Sequence, residues 1–389
     1  MINITETIKY IGVDDLDLDL FESQYIVPNG ISYNSYVILD EKVAVMDTVD
    51  KRKKCDWWTN LERELGGRTP DYLVVQHMEP DHAGVIEEFV NKYPMAKIVA
   101  TDKAVKMLPL FFENVDFTDR VMAVKENDTL SLGEHTLQFY MAPMVHWPEV
   151  MVTYDQKDKV VFTADAFGKF GALSHDEEWA CEARRYYFNI CGKYGTQVQN
   201  LLRKISHLDI ETICPLHGPI LKEDLGQYIS LYNTWSNYEP ETDGVFIAFA
   251  SIHGNTGEAA NKLAEILREK GVEKVSVADL SRCDMAEAVE DAFKMSTLVL
   301  ASASYDAGIF PPMNDFIHHL QDKSYQNRRV AFVENGSWAP VAGKLMRAKM
   351  DGLKDINFVE PLVTIRGKMK KADVAQLSRL ADAILNKDF

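Results

Sequence analysis

Four side chains able to hold a metal ion fall within six residues: His77, Glu79, Asp81 and His82, in the stretch Val75-Gln76-His77-Met78-Glu79-Pro80-Asp81-His82. No other stretch limits the possible folds so strongly. Ahead of it, Tyr72-Leu73-Val74-Val75 is an apolar, β-rich run that predicts a buried strand. Behind it, Ala83-Gly84-Val85-Ile86-Glu87-Glu88-Phe89 predicts the start of a helix. The four candidates therefore sit on a strand-to-helix loop, where two rigid elements can aim short side chains at one point. Three more follow: His146 in Pro143-Met144-Val145-His146-Trp147-Pro148, Asp165 in Phe162-Thr163-Ala164-Asp165, and His217 in Pro215-Leu216-His217-Gly218. Each comes after a short apolar run, so each is expected at a strand end.

Four imidazoles and three carboxylates are enough for two metal ions. One carboxylate would bridge, and open positions would remain for a substrate. A set of histidines alone, or of thiolates, would point to zinc. Mixed histidine and carboxylate suits iron at least as well. Two divalent ions carry four positive charges and the carboxylates cancel three, so the reduced site is nearly neutral and tolerates oxidation if an oxo or hydroxo bridge joins. That favours a site that cycles between oxidation states, with zinc left open.

The 389 residues are enough for two or three domains, and 46% hydrophobic with 26% charged residues is the mix of a globular protein. The net charge of −17 opposes binding to nucleic acid, which needs clustered Lys and Arg, and opposes anionic membrane surfaces. The five cysteines, Cys55, Cys181, Cys191, Cys214 and Cys283, form no C-x-x-C pair, so neither a full disulfide framework nor an iron–sulfur module is expected. Cys214 reads as a small packing residue. The N-terminal residues resemble no signal peptide and no apolar run has membrane-spanning length. A cytoplasmic location is the expectation.

From Met1 to about residue 240, short strands alternate with helices. Ser35–Leu39 and Val43–Asp47 flank a turn and predict a hairpin. Helices are expected at Lys51–Leu65, Ala83–Lys92 and Lys103–Phe111. Strands are expected at Lys97–Ala100, Val121–Val124, Thr136–Met141, Met151–Tyr154 and Val160–Thr163, and a helix-rich stretch over Glu177–Leu208. The polar stretch Ser236–Gly244 reads as a linker. After it the rhythm changes. Val245–Ala250 is continuously apolar, as in a strand buried on both faces of a parallel sheet. Glu258–Lys270 predicts a helix, and strands follow at Lys274–Val277, Leu298–Ala301, Arg329–Val333 and Val363–Ile365. Residues 244–389 thus read as a doubly wound α/β domain.

The first strand-to-helix turn of this domain is Ser251-Ile252-His253-Gly254-Asn255-Thr256-Gly257. Backbone N–H groups and the helix dipole there favour a phosphate. The turn is neither G-x-G-x-x-G nor G-x-x-x-x-G-K-[ST]. It resembles the FMN phosphate turn of flavodoxins, which assigns Ser251, His253, Gly254, Asn255 and Thr256 to the cofactor. Two later loops also leave strand ends. Ser302, Ser304, Tyr305 and Gly308 lie on one; Asn335, Gly336, Ser337 and Trp338 lie on the other. Tyr305 and Trp338 are the expected apolar plates for the isoalloxazine ring.

The metal-site pattern resembles the metallo-β-lactamase fold, whose hydrolases carry H-x-H-x-D-H. This chain has Glu79 in place of the second histidine. The H-x-E-x-D-H form, followed in order by His146, Asp165 and His217, resembles the flavodiiron proteins, and a flavodoxin-like second half extends the resemblance over nearly the whole chain. The third flavin loop departs from the commoner Gly-x-x-Gly-Trp. The resemblance implies an N-terminal αββα metallo-β-lactamase-like sandwich over residues 1–240 and a flavodoxin-like domain over residues 244–389. It implies two non-heme irons, oxo- or hydroxo-bridged when oxidised. His77, Glu79 and His146 would bind the iron on the flavin side, Asp81, His82 and His217 the other, and Asp165 would bridge. It implies reduction of dioxygen to water or of nitric oxide to nitrous oxide, with electrons relayed through FMN. The electrons would come from rubredoxin or another small donor, and the protein would be a head-to-tail homodimer or a dimer of dimers. Tyr25, His175 and Tyr194 are further candidates near the gas pocket, and Trp147-Pro148 is expected to orient His146. Two other readings are a dinuclear hydrolase fused to a flavodoxin, and an electron-transfer flavoprotein with a metal-free first half.

Overall fold

The computed structural model describes residues 3–386. The chain divides into two compact units, Met1–Asn233 and Thr234–Phe389. In the first unit one sheet has the strand order Ile8–Tyr10, Tyr36–Leu39, Val43–Met46, Tyr72–Val74, Lys97–Thr101, Val121–Val124. The predicted hairpin is there, pairing Tyr36 with Met46 and Leu39 with Val43. From Val43–Met46 onward the pairings are parallel, with helices as crossovers. The second sheet has the order Thr129–Ser131, Thr136–Met141, Met151–Asp155, Val160–Phe162, Thr212–Cys214. The two sheets share a core that includes Ile38, Met46, Val74, Val99, Phe139, Phe162 and Cys214. Each such side chain taken fully out of water contributes about 1.5–3 kcal/mol.

The helix Lys54–Leu65 buries Trp57, Leu61 and Leu65, one face at four-residue spacing. The helix predicted over Ala83–Lys92 is in fact two, Pro80–Ala83 and Ile86–Lys92, interrupted at Gly84 and Val85. The helix-rich stretch after Glu177 is also broken. Trp179–Tyr186 passes through a five-residue π-turn, Tyr187–Cys191, and a short tight turn into Gly195–Ile205. Single π-turns of this kind recur at functional sites.

The second unit is a parallel sheet in the order Val275–Asp279, Thr242–Ala250, Met295–Tyr305, Arg328–Asn335, Ile356–Ile365. In sequence terms that is 2-1-3-4-5, the doubly wound order that binds ligands at the carboxyl ends of its strands. The strands at Met295–Tyr305 and Ile356–Ile365 are longer than their apolar centres indicate. The stretch Ser236–Gly244 is no free tether. Ser236 ends one helix and Thr242 begins a strand. Tyr238 between them is buried, and its carbonyl accepts a hydrogen bond from Arg328 Nη1 at 2.5 Å. Among the described residues no helix is long and apolar enough to cross a membrane.

Candidate metal centre and cofactor cavity

The loops that carry the candidate donors in the first unit leave neighbouring strand ends. Tyr72–Val74 leads to His77 and Glu79, and Asp81 and His82 follow in the first turn of Pro80–Ala83, with Pro80 at its start. Val160–Phe162 and Thr212–Cys214 run parallel, so Asp165 and His217 emerge at the same edge. His146 comes from the loop after Thr136–Met141. After His217 the chain must turn through φ 76° at Gly218, and a Cβ there would lie 2.7 Å from Lys169 Cγ. Only glycine fits that position without strain.

All seven side chains converge in two groups, within each of which the donor atoms lie within 4.8 Å of one another. The first group is His77, Glu79, His146 and Asp165; the second is Asp81, His82 and His217. Glu79 Oε2 lies 3.1 Å from His77 Nε2 and 3.0 Å from His146 Nε2. Asp81 Oδ2 lies 3.3 Å from both His82 Nε2 and His217 Nε2. Asp165 faces both groups. Its Oδ2 is 3.1 Å from His146 Nε2 and 3.4 Å from His77 Nε2, while its Oδ1 is 3.4 Å from His82 Nε2.

The donor atoms fit metal ions. His82 Nε2 and His217 Nε2 face each other at 3.0 Å, an arrangement met either by an N–H···N hydrogen bond or by a metal ion held by both nitrogens. Both oxygens of Asp81, Asp165 Oδ1 and His146 Nε2 are buried without a hydrogen-bond partner. Without a metal these groups lean on one another. Burial would lower the His146 imidazolium, but Asp165 and Glu79 outweigh it and raise it to about 9. Burial would raise Glu79, but His146 and His77 outweigh it and hold it at about 2. Asp165 is held well below the carboxylate range despite burial, by His77, His146 and His82.

Residues around the donors fix their orientation. His77 Nδ1 is 2.9 Å from Glu149 Oε1, and His217 Nδ1 is 2.7 Å from the Ser32 carbonyl. Both rings thereby present Nε2 to the centre. Trp147 packs edge-on against His77 at 5.3 Å, closer than its 6.3 Å to His146, so it braces chiefly a different ligand from the one expected. Phe21 and Tyr186 pack against His217 at 5.4 and 5.5 Å. Beside the centre is a cavity of about 250 Å³ lined by Leu20, Phe21, Glu22, Tyr33, Glu79 and Asp81, among others. Of the further candidates, Tyr25 is buried and donates its hydroxyl to the Asn189 carbonyl at 3.1 Å, His175 is exposed, and Tyr194 is half-buried. Glu149, Ser32 and Tyr186 were not foreseeable from local pattern, because only the fold brings them to the ligands.

The second unit has a cavity of about 480 Å³ at the carboxyl ends of its strands. Ser251, His253, Asn255, Thr256, Ser304, Tyr305, Asn335, Gly336, Ser337 and Trp338 line it. Three expected residues do not. Gly254 takes φ 88° and begins the helix Asn255–Glu269. The Ser302 hydroxyl is spent on the Ala303 carbonyl, and Gly308 lies in a two-residue strand paired back onto Tyr305. A fourth loop contributes Gly367, whose N–H and carbonyl bond Asn335 reciprocally at 3.0 and 2.9 Å. Ser251 Oγ is buried without a partner at the cavity wall, a polar atom suited to a bound cofactor. Trp338 is 88% exposed and Tyr305 45%, as aromatic plates awaiting a planar partner would be.

Residues 31–218 match a family profile described as an ODP-family β-lactamase. A nitric oxide reductase of Moorella thermoacetica is 29% identical over 98% of this chain and 97% of its own length. The rubredoxin:oxygen oxidoreductase of Desulfovibrio gigas superposes with a TM-score of 0.92 at 26% identity, over 98% of this chain and 97% of that one. The flavodiiron protein of Giardia intestinalis shares the fold, with a TM-score of 0.89 at 22% identity over 98% and 96%.

Proposed function

From its membership of the flavodiiron proteins, we infer that this chain is an oxidoreductase that reduces dioxygen to water, nitric oxide to nitrous oxide, or both. The carrying observation is Asp165, whose two oxygens face two separate groups of donors. One carboxylate so placed suits a pair of ions. Two of the relatives are named for nitric oxide and for oxygen reduction, which supports the reading and does not favour the hydrolase alternative. The electron-transfer alternative, with a metal-free first half, runs against seven converging donors with buried, unpartnered atoms.

The proposed ligands are His77, Glu79 and His146 for one iron and Asp81, His82 and His217 for the other, with Asp165 shared. The metal-binding domain is residues 1–240 and the FMN-binding domain residues 244–389. When bound, two ferrous irons and one reduced FMN hold four electrons, enough to take dioxygen with four protons to two waters, and two electrons with two protons suffice to couple two nitric oxides into nitrous oxide and water. The chain's own residues prepare the site. Glu149 and the Ser32 carbonyl hold the Nδ1 atoms of His77 and His217, so both imidazoles aim Nε2 inward. Phe21, Tyr186 and Tyr33 pack their rings against His217 and keep bulk water from that side. The adjoining cavity has room for a diatomic gas. Helix Asn255–Glu269 turns its N-terminus toward the second cavity, where the FMN phosphate would sit, and Tyr305 and Trp338 would flank the ring.

The iron and flavin sites belong to different units of one chain. A head-to-tail homodimer, with the flavin of one chain facing the irons of the other, would bring the two kinds of site together. Rubredoxin or another small one-electron protein would be the donor, and the chain would act in the cytoplasm. The direct test is gas uptake by pre-reduced, iron- and FMN-loaded protein, with dioxygen and nitric oxide electrodes in parallel. Rapid loss of either gas, abolished by His146→Ala, is expected. No uptake of either gas would overturn the reading.

A further inference from the structure

The two proposed metal positions have matched donors. Each has two imidazoles, one carboxylate of its own, and a share of Asp165. What lies behind the imidazoles is not matched. His77 rests its Nδ1 on a buried carboxylate, Glu149, at 2.9 Å. His217 rests its Nδ1 on the neutral Ser32 carbonyl, and His82 Nδ1 is buried without a partner. Asp47 is also buried nearby, but its oxygens are taken by Gln76 and by the backbone N–H of His77, not by an imidazole.

Glu149 is held firmly. Its Oε1 also accepts the Met78 N–H at 2.9 Å, and its carbonyl accepts the Thr101 hydroxyl at 2.9 Å. It stands three residues after His146, so one loop supplies both a ligand of the first position and the carboxylate behind the other imidazole of that position. A carboxylate on the far nitrogen makes an imidazole a stronger donor and adds negative charge to that side.

We propose that Glu149 is a positioning residue that makes the two positions unequal, so that the position of His77, Glu79 and His146 holds iron more tightly and is oxidised more easily than that of Asp81, His82 and His217. The inference rests on the diiron reading above, and the test separates the two. Metal-free protein is titrated anaerobically with ferrous iron. Uptake of fewer than two irons by the unaltered chain overturns the diiron reading itself. His217→Ala then leaves mainly the Glu149-backed position, and His146→Ala mainly the other. Glu149→Gln keeps an acceptor for His77 and removes the charge. In the His217→Ala background it is expected to weaken iron binding about 10- to 100-fold. In the His146→Ala background the change should stay within about twofold, because Glu149 bonds His77 and Met78 and none of Asp81, His82 and His217. Equal losses in both backgrounds, or none in either, overturn the proposal. Flavin content and far-ultraviolet circular dichroism check that each variant is folded. Should Glu149→Gln not fold, Glu149→Asp, which retracts the carboxylate from His77, provides the same contrast and must weaken the His217→Ala protein alone.

Discussion

Asp165 sits between two sets of imidazoles and leaves no water to solvate it, so its charge is the one the centre can least do without. Asp165→Asn keeps the shape and removes the charge. Iron per chain, measured by elemental analysis, should fall from two toward one or none, with gas uptake lost in parallel. Protonation acts on the same charges. In the metal-free protein the His146 imidazolium stands at about 9, against its ordinary 6.5, because its carboxylate partners outweigh burial. A raised imidazolium adds stability that is fully present below 6.5 and is lost as the pH rises through about 9. Scanning calorimetry of metal-free protein should therefore show Tm falling between those values, and iron-loaded protein should not share that fall. The seven donors could be picked out of the sequence because four crowd into six residues and the rest follow apolar runs. Glu149 could not, since nothing in His-Trp-Pro-Glu says that the glutamate reaches back 72 positions to His77.

Short elements carry the long reach of these ligands, and their turns are where single changes act most strongly. Gly218→Ala would force a left-handed residue against Lys169, beside the proposed ligand His217. A loss of about 1–2 kcal/mol is expected from the backbone alone, read by urea unfolding. In the second unit, Asn335 joins the third cofactor loop to the fourth through Gly367. Asn335→Ala removes both bonds, each worth about 1 kcal/mol, and flavin retention on dialysis should weaken about tenfold or more. The fourth loop was hidden in the sequence because Val363–Ile365 looks like any closing edge strand. The helix break at Gly84 and the π-turn after Tyr186 were hidden for another reason. The apolar pattern runs through both, and only tertiary packing decides where the hydrogen-bond ladder changes pitch.

Across the whole molecule the charge is unevenly shared. Residues 234–389 carry 19 Lys and Arg against 22 Asp and Glu, so most of the −17 belongs to the metal-binding half. Size-exclusion chromatography with light scattering should return a dimer or a multiple of it, and an active monomer would refute the head-to-tail arrangement. The change of rhythm near residue 240 made the doubly wound half plain from sequence, and parallel pairing follows from strands that alternate with helices, but the order 2-1-3-4-5 is set by which strands meet in the fold. How eleven short strands of the first half fold into two sheets was less plain, because many are only three or four residues long and carry little pattern of their own.

The order of the proposed ligands along the chain also sets a timetable. His77, Glu79, His146 and Asp165 have all been made when the ribosome reaches residue 165, whereas the second set waits for His217, in the loop after the last-made strand of its sheet. A growing chain thus holds the parts of one iron position some fifty residues before it holds the parts of the other, and a synthesis halted in that interval leaves a centre that can be half filled and not finished.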